Sequence, residues 1–258
     1  MEVIILPAAP DVGTSAAGII ARLVAEKPGA VLGLATGASV KRVYAELVLA
    51  HQNQALDFSR VTTFNLDEYA GLSPSHPASC HAFMEEHFLS RVNVDRRRVH
   101  LPPTEGDDLA GLCEQFERDI RAAGGIDLQL LGIGREGHLG FNEPTSSLAS
   151  RTRIKTLTSA TREANRGGFG DDEVPLHVVT MGIGTILEAR HCLLVADGAA
   201  KADAVARMVE GPLTAMVPAS ALQLHPHATV IVDEAAAAGL SLRDYYREVQ
   251  GNKPHWQR

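Results

Sequence analysis

Residues 127–144 read DLQLLGIGREGHLGFNEP and contain the strongest structural signal of the chain. The mostly apolar run Asp127–Leu131 predicts a buried strand, and the glycine-rich residues after it predict a tight loop at the carboxyl end of that strand. Four glycines allow the backbone of this loop to adopt left-handed or crowded conformations. Glu136, His138 and Glu143 can therefore converge on one small volume. Histidine beside carboxylates is a common acid-base combination, and ligands of α/β proteins bind at such strand ends. The loop is a candidate active site, although a solvated glycine-rich turn would have the same composition.

The alternation of apolar runs with helical periodicity continues along the whole chain and is typical of βαβ units. Asp11 is a candidate cap for the first helix. Strands are predicted at Val3–Leu6, Ala30–Ala35, Val61–Asn65, Leu128–Ile133, His177–Met181, Cys192–Ala196 and Thr229–Asp233, and helices at Lys41–His51, Leu109–Ala123, Ala200–Glu210 and Leu242–Val249. We therefore predict a single Rossmann-like α/β domain over residues 1–258, doubly wound, with a mostly parallel sheet flanked by helices. Residues 150–175 contain a polar, glycine-containing stretch and are predicted to form a mobile lid.

Composition excludes several classes of protein. The 258 residues are 45% hydrophobic, which is enough for a large core, and the formal net charge of -7 argues against a nucleic-acid partner. Cys80, Cys113 and Cys192 are widely spaced, so that neither a disulfide framework nor a structural zinc site is indicated. The start of the chain lacks a signal-peptide pattern, and no apolar run reaches membrane-spanning length. A cytoplasmic location without a membrane partner is predicted.

A second candidate segment joins a predicted strand to a predicted helix. It consists of Thr36, Gly37, Ala38 and Ser39. Free backbone amides and the positive end of a helix dipole make such a turn an anion site. The segment matches neither a Walker A loop nor a GxGxxG fingerprint, so that nucleotide binding is not indicated. By itself it is equally typical of an ordinary strand-to-helix turn.

A third candidate segment, FNLDEY at Phe64–Tyr69, also lies at a strand end. Asp67 there could be surface charge, or it could face the same crevice as the other two loops and act as a base. A metal site would need more ligands than His138 and Glu143, since the spacing is not HExxH and no second histidine is near. The residues favour acid-base chemistry without a metal.

Five segments in this order resemble the glucosamine-6-phosphate deaminase family: GLATGAS, FNLDEY, GIGREGHLGFNEP, SSLASRTRIKTLT and LQLHPHA. The resemblance spans nearly the whole chain, and FN-DEY together with GH-FNEP is its most specific part. It implies a Rossmann-like parallel sheet in a cytosolic homo-oligomer that uses no cofactor. The implied reaction converts glucosamine 6-phosphate and water to fructose 6-phosphate and ammonia.

The resemblance also implies roles for single residues. Asp67 matches the enolisation base, His138 the group that opens the sugar ring, Glu143 the carboxylate that orients this histidine, and Glu136 a second supporting acid. The phosphate would be bound by Gly37, Ala38 and Ser39 together with Lys201, whose charge backbone amides cannot supply. Ser146, Arg153 and Lys155 match positions that bind an acetylated sugar phosphate as activator in some members, and packing between subunits or in the lid explains them equally well.

The chain departs from the family pattern at two positions. Glu136 stands where the family has Asp or Asn, and Gly167 stands where the family has a phosphate-binding arginine, with Arg166 adjacent. These departures keep a deaminase for another amino-sugar phosphate, such as galactosamine 6-phosphate, open as an alternative. A 6-phosphogluconolactonase is less favoured because FNEP follows His138 in place of a TASLFP-like stretch. A non-catalytic sugar-phosphate sensor is less favoured because Asp67 and His138 are both present.

Overall fold

The structure is a computed structural model and describes residues 1–254, so that residues 255–258 of the predicted domain lie outside it. Its strands in chain order are β1 (Glu2–Leu6), β2 (Val31–Leu34), β3 (Thr62–Asn65), β4 (Asp67–Tyr69), β5 (Val99–His100), β6 (Leu128–Leu131), β7 (Arg153–Thr156), β8 (His177–Thr180), β9 (Cys192–Ala196) and β10 (Ala228–Asp233). Its helices are α1 (Ala9–Glu26), α2 (Ala38–Gln52), α3 (Cys80–His87), α4 (Leu109–Ala122), α5 (Ser159–Asn165), α6 (Ile183–Leu187), α7 (Ala202–Val209) and α8 (Arg243–Gly251).

Seven strands form a parallel sheet in the order β1-β10-β9-β6-β2-β3-β5. Strands β2, β6, β9 and β10 are buried over their whole length. Continuous apolar runs are required there, because helices cover both faces of a parallel sheet. The predicted fold class, a Rossmann-like α/β protein with a mostly parallel sheet, is confirmed.

The candidate loops meet where the direction of winding reverses. Strands β2 and β6 are neighbours, yet the chain continues from β2 to β3 on one side and from β6 to β9 on the other. The loops that follow β2 and β6 therefore flank a crevice at the carboxyl edge of the sheet. Tyr44 of α2, fully buried, donates its hydroxyl to the Ala35 carbonyl at 2.6 Å and ties this helix to the end of β2.

A second sheet of three strands, in the order β4-β8-β7, was not predicted. All its pairings are antiparallel, with Asp67 opposite Thr180 and Arg153 also opposite Thr180. The strand predicted at His177–Met181 is present as β8, but it pairs in this antiparallel sheet and not in the parallel one. A run of buried β-branched residues looks the same in either sheet, because its pairing partners are set by tertiary structure. This sheet takes Asp67 out of the main sheet immediately after β3.

Two predicted helix starts are also corrected. Helix α1 begins at Ala9, so that Asp11 lies inside its first turn, where Oδ2 accepts from the Ala8 amide at 3.1 Å. Helix α2 begins at Ala38 rather than at Lys41, with Gly37 at the N-cap position. The second candidate loop is therefore itself the amino end of a helix. Within residues 1–254, no helix has the length and apolar character needed to cross a membrane.

Candidate active site

A cavity of about 740 Å³ opens at the carboxyl edge of β2, β3, β6 and β9. The predicted residues that line it are Thr36, Gly37, Ala38, Ser39, Asp67, His138 and Lys201. Other lining residues come from the start of α3, the end of β9 and the segment after β7, namely Cys80, Asp197, Asn165, Gly167, Gly168 and Phe169. The three candidate loops therefore face one pocket. Residues 158–169, which we call the α5 segment, lie along its side.

Asp67 is a buried carboxyl with few polar partners. Its side chain is 5% exposed, and Oδ1 accepts from the Cys80 thiol at 3.5 Å. The pKa of Asp67 is raised to about 7. Burial is the main cause of this increase, the Cys80 hydrogen bond opposes it, and the nearby charge of Glu68 adds to it. A carboxyl that ionises near neutral pH in a cleft has the properties of a general base.

His138 is held by the loop that contains it. Its Nδ1 lies 3.2 Å from Oε2 of Glu136, and a Cβ added at Gly134 would lie 2.0 Å from the imidazole ring. Burial lowers the pKa of His138 below its ordinary value, while the charge of Glu136 opposes this shift. The imidazole is therefore neutral at neutral pH and can accept a proton as well as transfer one.

The two carboxylates of this loop have different partners. Glu136, the residue that departs from the family pattern, contacts the His138 ring directly. Glu143 instead accepts hydrogen bonds at Oε1 from the hydroxyls of Thr158, at 3.0 Å, and Thr161. Its charge raises the pKa of His138 through space. The orienting role of Glu143 stays a prediction, and among residues 1–254 the ring contact is made by Glu136.

The amino end of α2 and Lys201 form the cationic side of the pocket. Gly37 has a φ of 135°, which a side chain would disfavour, and precedes the first free amides of the helix. Lys201 donates from Nζ to the Ile133 carbonyl at 2.7 Å. Burial and then the charge of Arg135 lower the pKa of Lys201. The charges of Asp197 and Glu136 oppose this shift, so that the half-buried Lys201 ammonium lies among charges of both signs.

Asp197 occupies the same side of the pocket. The Ser39 hydroxyl donates to its Oδ1 at 2.8 Å, and Nε of Arg42 donates to its Oδ2 at 2.9 Å. The hydroxyl predicted for the phosphate is therefore engaged with a carboxylate in this structure. Gly167 lines the pocket without a side chain, whereas Arg166 is exposed and is not among the lining residues.

The residues predicted for an activator lie elsewhere. Ser146 is 4% exposed, and its hydroxyl has no hydrogen-bond partner among the described residues. Arg153 and Lys155 alternate with Ile154 on strand β7, and they therefore share one face of the second sheet. None of the three lines the cavity.

Cys80 and Asp197 are among the polar residues of the pocket that sequence reasoning missed. Asp197 directly follows a predicted strand, which is the same signal that identified Asp67, and it could have been found. The spacing of Cys80 in the sequence bears only on disulfides and zinc, neither of which it indicates. Its position beside Asp67 depends on where α3 packs, which no local pattern indicates.

Comparison with known proteins places these features in a family. Residues 8–231 match the model for glucosamine-6-phosphate isomerases/6-phosphogluconolactonase. A glucosamine-6-phosphate deaminase from Arthrobacter sp. (strain FB24) is 54% identical over 258 residues, which cover 100% of this chain and 99% of that protein. A structure of a monomeric glucosamine-6-phosphate deaminase aligns with a TM-score of 0.90 and 43% identity over 93% of this chain and 100% of its own.

A 6-phosphogluconolactonase from Trypanosoma brucei aligns with a TM-score of 0.75 and 17% identity, covering 93% of this chain and 98% of that one. At that identity the likeness shows a common fold alone. The family match and the full-length relative at 54% identity carry the assignment. This chain belongs to the glucosamine-6-phosphate isomerase/6-phosphogluconolactonase family.

Proposed function

We propose that this protein converts glucosamine 6-phosphate and water to fructose 6-phosphate and ammonia. One observation carries the proposal: a buried carboxyl with a pKa of about 7, Asp67, shares a pocket with His138 and with the cationic end formed by α2 and Lys201. Full-length relatives at 54% and 52% identity are named for this reaction. The pocket therefore offers a base, a proton shuttle and a phosphate site together.

The reaction follows from ordinary carbonyl chemistry. The neutral His138 ring takes the proton of the C1 hydroxyl and delivers it to the ring oxygen, and the C1–O5 bond breaks to give the aldehyde. Asp67 removes the C2 proton while the C1 carbonyl oxygen gains a proton from solvent, which gives an enolamine. Asp67 then returns its proton to C1, which leaves a protonated imine at C2. Water adds to C2, and ammonia leaves from the resulting carbinolamine. The product is the 2-ketose phosphate, and one water is consumed for each ammonia released.

Each step uses a property of the site. The pKa of about 7 lets Asp67 exist as a carboxylate at neutral pH and still return the proton it takes. The lowered pKa of His138 keeps its ring neutral between transfers, while Glu136 at 3.2 Å stabilises the imidazolium once it forms. The free amides of α2 and the Lys201 ammonium bind the phosphate and fix the position of C2 relative to Asp67.

Galactosamine 6-phosphate is a second candidate substrate. Gly167 leaves one wall of the pocket without a side chain where the family resemblance predicts an arginine. A sugar phosphate held by fewer cations has more freedom to shift, and the pocket is then less selective for the configuration at C4.

The test is a side-by-side assay of the two epimers in the absence of added metal. Ammonia and the corresponding ketose phosphate are measured for each substrate, and 6-phosphogluconolactone hydrolysis is measured in parallel. The proposal predicts equimolar ammonia and fructose 6-phosphate from glucosamine 6-phosphate. Turnover of the galactosamine epimer alone would reassign the substrate, whereas lactone hydrolysis without ammonia release would reassign the reaction.

The oligomeric state, the location and the activator are separate proposals. The resemblance predicts a cytoplasmic homo-oligomer, while the solved relative at 43% identity is described as monomeric. Light scattering in solution distinguishes these states. For Ser146, Arg153 and Lys155, N-acetylglucosamine 6-phosphate should change the substrate-saturation curve, and an unchanged curve removes the activator site.

A further inference from the structure

Glu68 is a buried carboxylate next to the proposed base. It is 3% exposed, and its two oxygens accept from three backbone amides: Oε1 from Tyr69 at 2.8 Å and Cys80 at 3.0 Å, and Oε2 from His81 at 2.8 Å. The last two amides begin helix α3, where an anion is favoured by the helix dipole. Glu68 therefore fixes the start of α3 against strand β4.

This docking places the Cys80 thiol between two groups of the pocket. Its Sγ lies 3.5 Å from Oδ1 of Asp67 and 3.6 Å from the Thr36 hydroxyl, and the residue is 5% exposed. A carboxylate accepts hydrogen bonds only, so that the thiol is the donor to Asp67. The Thr36 hydroxyl can then donate to Sγ. One hydrogen-bonded path therefore runs from the proposed phosphate loop to the proposed base.

We propose that Cys80, positioned by Glu68, is a positioning residue that holds the Asp67 carboxyl by a hydrogen bond and favours its ionised form. This inference rests on the proposed role of Asp67 as the base. It adds an assignment for a thiol and a second carboxylate that the reaction itself does not use.

The thiol acts as a donor and not as a nucleophile. Burial, followed by the charges of Asp67 and Glu68, raises the pKa of Cys80 well above its ordinary value. The reactive form of cysteine is the thiolate, which these surroundings disfavour. A neutral donor, in contrast, stabilises a carboxylate in a site where burial alone would keep it protonated. The Cys80 hydrogen bond therefore lowers the pKa of Asp67, whereas the charge of Glu68 raises it.

The test compares Cys80→Ser, which keeps a donor, with Cys80→Ala, which removes it at nearly the same volume. Titration of Asp67 is followed by NMR with isotope-labelled aspartate, assigned with Asp67→Asn, and the pH profile of kcat/KM is measured for each variant. We expect the Asp67 midpoint in Cys80→Ala to lie above that in Cys80→Ser by about half a pH unit. The acid limb of kcat/KM should move in the same direction.

Cys192→Ala is the matched control, because Cys192 is also buried and its thiol donates to the Ile186 carbonyl at 3.4 Å outside the pocket. The titration midpoint of Asp67 in Cys192→Ala should equal that in the parent protein. Equal midpoints in Cys80→Ser and Cys80→Ala would overturn the proposal. Cys80→Val provides a second side chain without a donor if Cys80→Ala does not fold. Because the NMR titration needs no turnover, it tests the hydrogen bond even if the parent protein releases no ammonia, a result that would contradict the proposed function instead.

Discussion

At the scale of single residues, the site buries the Asp67 carboxyl in surroundings that disfavour its charged form. Asp67 gains no cationic partner among the described residues, and the pKa shift of this residue arises first from burial. Its folded-state pKa of about 7 lies above the ordinary value of 3.8. The stability gained from the protonated form is therefore complete below the unfolded pKa and is lost as the pH rises through about 7.

Replacement of Asp67 should therefore raise stability in a pH-dependent way. We expect Asp67→Asn to have a higher Tm than the parent protein at about pH 8 and a smaller advantage at about pH 5. Thermal unfolding at both pH values measures this difference. Asp57→Asn is the control, since hydrogen bonds from Ser59 lower the pKa of that exposed carboxyl and its loss should not stabilise the protein. An Asp67→Asn advantage that does not change with pH would contradict the assigned pKa.

A glycine next to the imidazole tests the position of His138. A Cβ at Gly134 would lie 2.0 Å from the ring, so that Gly134→Ala must displace it. We expect kcat to fall by about 100-fold, the loss that a misplacement on the order of 1 Å produces. Gly29→Ala, at a glycine with open space around it, should leave kcat unchanged. Steady-state kinetics of both variants supply the comparison, and full activity of Gly134→Ala would remove His138 from the mechanism.

Residue types at strand ends predicted much of the site, because catalytic residues of α/β proteins lie there. Asp67, His138 and Lys201 were located in this way or from the resemblance, and the structure brings them to one pocket. The partner of His138 could not be predicted. Whether Glu136 or Glu143 reaches the ring depends on loop geometry and on the two threonines of the α5 segment, which sequence spacing does not specify.

At the scale of elements, the predicted lid contacts the loop that contains His138 through hydrogen bonds to Glu143 and through an apolar cluster in which Phe141 packs with Leu157 and Phe169. Thr158 caps α5 and, with Thr161, donates to Glu143, while the residues after α5 line the pocket. A movement of this segment would therefore change the surroundings of both Glu143 and the substrate. The lid motion itself stays a prediction, but the contacts of this segment with the site are defined hydrogen bonds and apolar packing.

Gly167, which follows α5, stands where the family resemblance predicts an arginine, and a substitution there tests this difference. We expect Gly167→Arg to lower KM for glucosamine 6-phosphate by about tenfold, the factor given by about 1.4 kcal/mol of added binding free energy. The physical reason is a second cation on the phosphate beside Lys201. Gly167→Gln has similar length without the charge and should leave KM nearly unchanged. Equal KM values for both variants would show that the phosphate is bound elsewhere.

At the scale of the whole molecule, the proposed phosphate site places local cationic groups in a protein of negative net charge. The net charge is -7, whereas the crevice between β2 and β6 presents the amino end of α2 and the Lys201 side chain. Periodicity and strand-helix alternation predicted the parallel sheet, because each element shows its burial pattern locally. The small antiparallel sheet was missed, since short strands such as β4 have no pattern of their own.

The most direct test of the proposed chemistry is ammonia release from glucosamine 6-phosphate by the parent protein and by Asp67→Asn across neutral pH. The parent protein should form equimolar ammonia and fructose 6-phosphate, with kcat/KM rising with pH to a plateau above about 7 as Asp67 ionises. Asp67→Asn should lose at least about 100-fold in kcat while still binding the sugar phosphate. Absence of ammonia from the parent protein would contradict the proposed reaction, and retained turnover by Asp67→Asn would contradict the role of Asp67 as the base.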